Sequence, residues 1–376
     1  SGDGWFAELD YTGMWRLAVD RDADGPVQFT ASLPEMQFVQ GLAPGQRISL
    51  PLVTLGAFRD DLDDMGRRIY DWQYTYLWDY TRHDWFGRTL YAAPIFSMNT
   101  GTASNQENFT VRLQQDMVCA DVARKAGFDI LWDDAGWYAQ PGFWNLNREG
   151  PDFAQTVRYT TKSGMNWTLW FLSRPSPGLL DTKVGAWGNF QWRTDGVASY
   201  ALQDEQEFRQ QVAGFLDRHP RASFHTCGGG GTYAHTFEIQ RFADANYFAD
   251  FGGDQTNYYC SYFELPDKWF DPLVAGLKDC SGKRQRLLTM VPDWGAGSEH
   301  GDGTDLRPVT DMYRYLVAQG VAGRWSYVAH PVIHGDIEYQ YFQRLNRDRT
   351  KSVIILKHMP EGTVTLYPRG LVAEQE

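Results

Sequence analysis

Carboxylates close three of the chain's short apolar runs. FDILWDD ends on Asp133 and Asp134, NFQWRTD on Asp195, and NYFAD on Asp250. Two carboxyl groups flanking a glycosidic bond suffice to cleave it. One attacks the anomeric carbon, the other protonates the leaving oxygen, and a third can hold sugar hydroxyls. A lone carboxylate at a strand end more ordinarily caps the following helix, so the weight lies in three such ends converging on one rim. Arg193 precedes Asp195 by two residues, which in a strand puts both on one face, where a guanidinium favours the ionised carboxylate. Asp254, past Gly252-Gly253, is a rival for the role given to Asp250. No cofactor and no metal are expected: two carboxyls need neither, no C-x-x-C pair is present, and no His pair has ligand spacing.

Those carboxylates need elements that deliver them to one place. Residues 1–60 read as strands, with turns at Asp22-Ala-Asp-Gly25 and Pro44-Gly45, and residues 60–78 read as a helix leading out. From residue 88, apolar runs alternate with amphipathic stretches. The runs end at Asn99, Asp134, Ser173, Asp195, Cys227 and Asp250, with weaker ones at Val291 (RQRLLTMV) and His330 (GRWSYVAH). Helices are expected over 107–127, 204–218, 236–245 and 305–319. Eight strand candidates alternating with helices predict parallel βαβ units closed into a barrel. The other reading is an open doubly wound sheet, although no G-x-G-x-x-G stands at the first strand–helix turn. After residue 335 the pattern returns to short alternating strands.

The expected architecture is therefore α/β: a (β/α)8 TIM barrel flanked by an N-terminal β-sandwich portion and a C-terminal antiparallel β portion. Its boundaries are 1–60 for the end of the sandwich, 61–87 for a linking helix, 88–334 for the barrel and 335–376 for the start of the C-terminal unit. The 25 residues from Trp170 to Asp195 are few for a strand–helix–strand passage and predict a missing helix there.

Composition narrows the ligand. A net charge of −12 argues against nucleic acid, which requires a basic stripe. No apolar run is long enough to cross a bilayer, so no membrane partner is expected. Aromatic residues make up 15% of the chain, which suits the apolar faces of sugars, although many of these rings must fill a core. Cys119, Cys227, Cys260 and Cys280 permit disulfides without implying them. The N-terminus does not read as a signal peptide. A soluble protein is expected, its compartment (cytoplasmic or secreted) undetermined and homo-oligomerisation left open.

Four motifs in order bear a resemblance. Asp133-Asp134-Ala-Gly-Trp137 is similar to the aspartate–glycine–tryptophan motif after strand two of glycoside hydrolase family 36, the α-galactosidases of clan D. Trp192-Arg193-Thr194-Asp195 resembles that family's strand-four motif, which ends on the nucleophile. Cys227-Gly-Gly-Gly-Gly231 resembles its signature after strand five, and Ala249-Asp250-Phe251 its strand-six acid/base motif. Leu42 to Pro51 resembles the close of the family's N-terminal sandwich, and Gly335 to Leu371 the start of its C-terminal domain.

The resemblance implies a retaining exo-α-glycosidase acting on terminal α-galactosides of an oligosaccharide or glycoconjugate. Asp195 would be the nucleophile and Asp250 the acid/base. Asp133 and Asp134 would hold O4 and O6, Trp137 would close over the sugar, and Arg193, Cys227, Gly229, Gly230 and Asp254 would bind substrate. An α-N-acetylgalactosaminidase or a raffinose-type transglycosylase fits the same motifs, and a non-catalytic sugar-binding protein on a degenerate barrel is the rival of another class. The sequence departs from the family at Thr232-Tyr233, where an Arg is usual, and at Gly196-Val197 after the nucleophile.

Overall fold

The computed structural model describes residues 2–11, 15–33, 41–72, 75–76, 91–93, 120–121, 124–125, 127–133, 153–172, 175–195, 202–227, 245–247, 294–295, 307–321, 325–329, 332–334, 341–356 and 362–372. Four antiparallel strands come first: β1 (Gly4–Leu9), β2 (Arg16–Arg21), β3 (Val27–Ser32) and β4 (Val53–Phe58). β1 pairs with β4 and β2 with β3. Both expected turns form. The Gly25 amide donates to the Asp22 carbonyl at 3.1 Å, and Gly45 takes φ +81°, the left-handed region that glycine adopts without steric cost.

Helix α1 (Leu62–Trp72) follows. Asp63 and Asp64 occupy its first turn, the end at which negative charge is favoured. Asp64 is held from several sides. It accepts from the Arg59 amide at 2.8 Å and from Arg68 Nε at 2.8 Å, and it pairs with Arg67. Burial pulls its pKa upward, but these donors outweigh that, and the carboxyl lies below its ordinary value.

The central layer is a parallel sheet of seven described strands: β5 (Tyr91–Ala93), β6 (Ile130–Asp133), β7 (Asn166–Leu172), β8 (Gln191–Asp195), β9 (Ser223–Cys227), β10 (Ala245–Tyr247) and β11 (Trp294–Gly295). Their spatial order is β10-β9-β8-β7-β6-β5-β11, and every pairing is parallel. Six successive strands thus lie side by side in chain order, and the seventh returns beside the first. The order shows none of the reversal between halves that marks the 3-2-1-4-5-6 dinucleotide-binding sheet.

Between these strands run α2 (Phe153–Lys162), α3 (Pro177–Trp187) and α4 (Leu202–Arg218). The helix expected to be missing between Trp170 and Asp195 is therefore present as α3, correcting that expectation. Ser176 caps it by accepting from the Leu179 amide, and Pro177 stands at its first position. The compact passage suffices because 11 residues make three turns and short loops join them.

Helix α5 (Arg307–Ala318) lies late in the chain yet packs against the entry to β6. Arg314 donates to the Gly127 carbonyl and pairs with Asp129 at 3.1 Å. Gly127 has φ +92°, and a Cβ there would meet Thr310 Oγ1 at 2.8 Å, so both the turn and the close approach of α5 require glycine.

The remaining strands are antiparallel: β12 (Tyr327–Ala329), β13 (Val332–His334), β14 (Tyr341–Leu345), β15 (Ser352–Leu356) and β16 (Thr365–Tyr367). β12, β14 and β15 form one sheet, and β13 pairs with β16. This corrects a second expectation. The run ending at His330 is no eighth parallel strand, because Tyr327–Ala329 pairs antiparallel with Gln343–Leu345. Its apolar character is spent on a different core, where Tyr70 of α1 meets Tyr327 edge-on at 5.8 Å beside Ala329 and Leu345. Candidates that ended at Ser173 and Val291, and the helix over 236–245, lie wholly or in part outside the described residues, as does most of 107–127.

Candidate functional site

β8 is the strand on which a site is most fully built. Its residues alternate between two environments. Trp192 has no exposed surface and packs edge-on against Phe208 at 6.2 Å and Phe215 at 5.6 Å on α4, and against Phe224 on β9 at 5.0 Å. That face of the sheet is sealed by aromatic rings under a helix. Leu169 stands level with Trp192 on β7, and both are fully buried.

Gln191 and Arg193 occupy the other face, because successive strand residues point to opposite sides. They too are buried, at 2% and 1% exposure. Thr168 on β7, the register partner of Gln191, donates to its Oε1 at 2.7 Å. Ser223 on β9, also aligned with Gln191, is buried as well. The face away from α4 thus carries a buried polar layer, in which Thr168 and Gln191 are hydrogen-bonded to each other. Asp195 stands two residues beyond Arg193, as the last residue of β8.

The strands are parallel, so their C-terminal ends share one edge of the sheet. Asp133 ends β6, Asp195 ends β8 and Cys227 ends β9, on that same edge. The register staggers them. Asp133 is level with Leu169, and Leu169 with Trp192, so Asp195 stands three positions beyond Asp133 although only two strands away. Thr194 is level with Thr226, so Cys227 follows one place on, as Asp195 does. Asp134 lies outside the described residues, as do Trp137, Gly229, Gly230, Asp250 and Asp254. Cys227 is level with Tyr247, the end of β10, and Asp250 follows three residues later in the sequence.

Sequence reasoning missed the polar layer beneath the rim: Thr168, Gln191 and Ser223. The alternation in Gln191-Trp192-Arg193-Thr194-Asp195 carried the signal, since each second residue is polar and a large apolar ring stands between. Among the described residues no group of three His, Cys, Asp or Glu side chains sits close enough to hold a metal ion, and no helix is long and apolar enough to cross a membrane.

No family model matches the chain, and no curated protein does. Solved structures do match. The galactosidase domain of the α-galactosidase–sucrose kinase AgaSK aligns at TM-score 0.76 and 13% identity, covering 99% of this chain and 60% of that one. A variant of the GH36 α-galactosidase AgaA from Geobacillus stearothermophilus, in complex with 1-deoxygalactonojirimycin, aligns at 0.74 and 12%, covering 100% and 62%. The α-galactosidase from Lactobacillus brevis aligns at 0.70 and 12%, covering 99% and 64%. The chain thus has the fold of the GH36 α-galactosidases, and it spans about three fifths of the length of these solved proteins.

Proposed function

We propose that this chain is the catalytic part of a retaining exo-α-glycosidase that hydrolyses terminal α-galactosides through a covalent glycosyl-enzyme. The observation that carries the reading is Asp195 at the carboxyl end of a parallel strand, two residues beyond the buried Arg193. In barrel enzymes the reacting groups sit at that end of the strands. The likeness to α-galactosidase folds supports the choice of sugar.

The sheet closes into a barrel in this reading. Two contacts support closure: β11 returns beside β5, and α5 docks at the entry of β6. The stagger of the candidate residues supports it as well. Barrel strands tilt by about 36° to the axis. With strands about 4.8 Å apart and residues rising about 3.3 Å, stepping to the next strand shifts the level by roughly 2.8 Å, and one residue along a strand restores roughly 2.7 Å. Residues at a common height therefore advance by about one position per strand. Asp195 is three positions on after two strands, and Cys227 three positions on after three. In a flat sheet the same three positions would separate Asp133 and Asp195 by roughly 10 Å along the strands. The antiparallel strands before residue 60 and after residue 335 form flanking β units.

Asp195 attacks the anomeric carbon as its carboxylate, with the buried Arg193 guanidinium favouring that charge. Asp250 protonates the departing oxygen, then takes the proton from the water that releases the sugar, so the configuration is retained. Asp133 and Asp134 hold adjacent hydroxyls, with Trp137 over the ring. Cys227 and the glycines through Gly230 leave room near O2, and Asp254, four residues beyond Asp250 in the sequence, binds substrate. The reading is tested with a panel of 4-nitrophenyl α-glycosides, including the N-acetylgalactosamine derivative, and Asp195→Ala as control. The α-galactoside is expected to be cleaved, with the α-anomer released first by proton NMR and turnover lost by several orders of magnitude in the variant. Cleavage of no α-glycoside, or of the N-acetylgalactosamine derivative in preference, overturns it.

A further inference from the structure

We propose that Arg209 is a positioning residue for the strand that carries Asp195, acting from the N-terminal β unit through helix α4; the assignment rests on the reading of Asp195 given above. Arg209 Nη2 donates to the Asp10 backbone carbonyl at 2.8 Å, and Nη1 faces the Asp10 carboxylate at 3.6 Å. Both side chains are largely buried, 18% and 4% exposed. One turn earlier, Gln206 Nε2 donates to the Ser49 carbonyl at 3.4 Å. The segments just after β1 and just before β4 are therefore both tied to α4, and the Asp10 amide in turn donates to the Leu52 carbonyl at 2.8 Å.

α4 stands between this tie and the sheet. Phe208 and Phe215 press on Trp192, while Gln206 and Arg209 lie round the helix toward the N-terminal strands, as a 3.6-residue repeat dictates. Trp192 is three residues from Asp195, and α4 begins seven residues after it. Anything that fixes the height and rotation of α4 fixes Trp192, and through Trp192 the end of β8. A close-packed interior transmits such a shift rather than absorbing it, and about 1 Å of misplacement at a reacting group costs on the order of 100-fold in rate. A salt bridge at this depth, doubled by a bond to backbone, has a fixed geometry that an exposed pair lacks.

The test compares wild type with Arg209→Met, which keeps the apolar stem and removes charge and donors, and with Arg209→Lys, which keeps the charge. Two readouts are taken well below the unfolding transition. In hydrogen exchange, the amides of residues 191–195 are expected to exchange about tenfold faster in Arg209→Met, with residues 166–172 unchanged and partial recovery in Arg209→Lys. In turnover of 4-nitrophenyl α-galactoside, kcat is expected to fall about tenfold at nearly constant KM. Unchanged exchange at 191–195 overturns the proposal whatever the activity. A wild type inactive on every α-glycoside overturns the functional reading alone, since the exchange result stands without it. If Arg209→Met does not fold, Asp10→Asn, which leaves the carbonyl acceptor in place, is expected to raise exchange at 191–195 about threefold, and no increase refutes the coupling.

Discussion

Thr168→Val removes one hydroxyl from the polar layer under the site and almost nothing else. The lost bond is short, 2.7 Å, and lies between residues 0% and 2% exposed. Water cannot take the place of the Thr168 hydroxyl there, so Gln191 Oε1 loses that donor without replacement. Removing one partner of a buried hydrogen bond in this way costs about 1–3 kcal/mol. Thr350→Val is the matched control. Its hydroxyl donates to Asp348 Oδ1 at 2.9 Å and accepts from Asn346 at 3.2 Å, both in an exposed turn, so solvent replaces what is lost and the change stays within about 0.5 kcal/mol. Urea unfolding followed by tryptophan fluorescence gives both numbers. Thr168→Val combined with Gln191→Leu is expected to cost less than the sum of the single changes, with a coupling of at least about 0.5 kcal/mol. If Thr168→Val and Thr350→Val shift the midpoint equally, or if the pair is additive, the polar layer is not the dry, partnered environment described.

Asp250→Ala is expected to slow hydrolysis of poor leaving groups severely and of activated aryl glycosides little, because the latter need no proton; the same pattern in Asp254→Ala instead reverses the acid/base assignment. Asp64 titrates below its ordinary value of 3.8 in the folded protein, so its contribution is fully present above that value and is lost as pH falls through the lower, folded value. Asp64→Asn is therefore expected to lower stability at pH 7 and to flatten its pH dependence below pH 3.8, read from urea midpoints across an acid series; an unchanged slope refutes the linkage.

Much of the sheet was legible because a buried strand announces itself locally. Ile130–Asp133 and Gln191–Asp195 lie in apolar or alternating runs that read as strands, and both are strands of the parallel sheet. α3 was not legible by period. Its residues show little separation into two faces, so neither helix nor loop stood out, although Ser176-Pro177 marked its start. β12 failed for another reason. The run Tyr327–Ala329 is a strand, as read, but nothing local says whether its neighbour is parallel or antiparallel. That is decided by Gln343–Leu345, which closes a core with Tyr70 more than 250 residues upstream. At the site, the ends of β6, β8 and β9 could be read from sequence, whereas the stagger between them exists only in pairing.

The seam between β5 and β11 has a kinetic consequence. Ala92 and Trp294 meet across about 200 residues of chain, and among the described residues only two positions pair there. The β14–β15 hairpin pairs Leu345 with Ser352 across a short turn. Loop-closure entropy scales as (3/2)RT ln n, so joining the seam costs roughly 3 kcal/mol more than joining that hairpin. Contacts so distant in sequence form late and make folding slow. The local hairpins and the successive β6-β7-β8-β9 pairings assemble first, each supported by its neighbour, and the β5–β11 pairing is made last. Until then β5 presents an unpaired edge, and a chaperone or a dilute refolding buffer matters most in that interval.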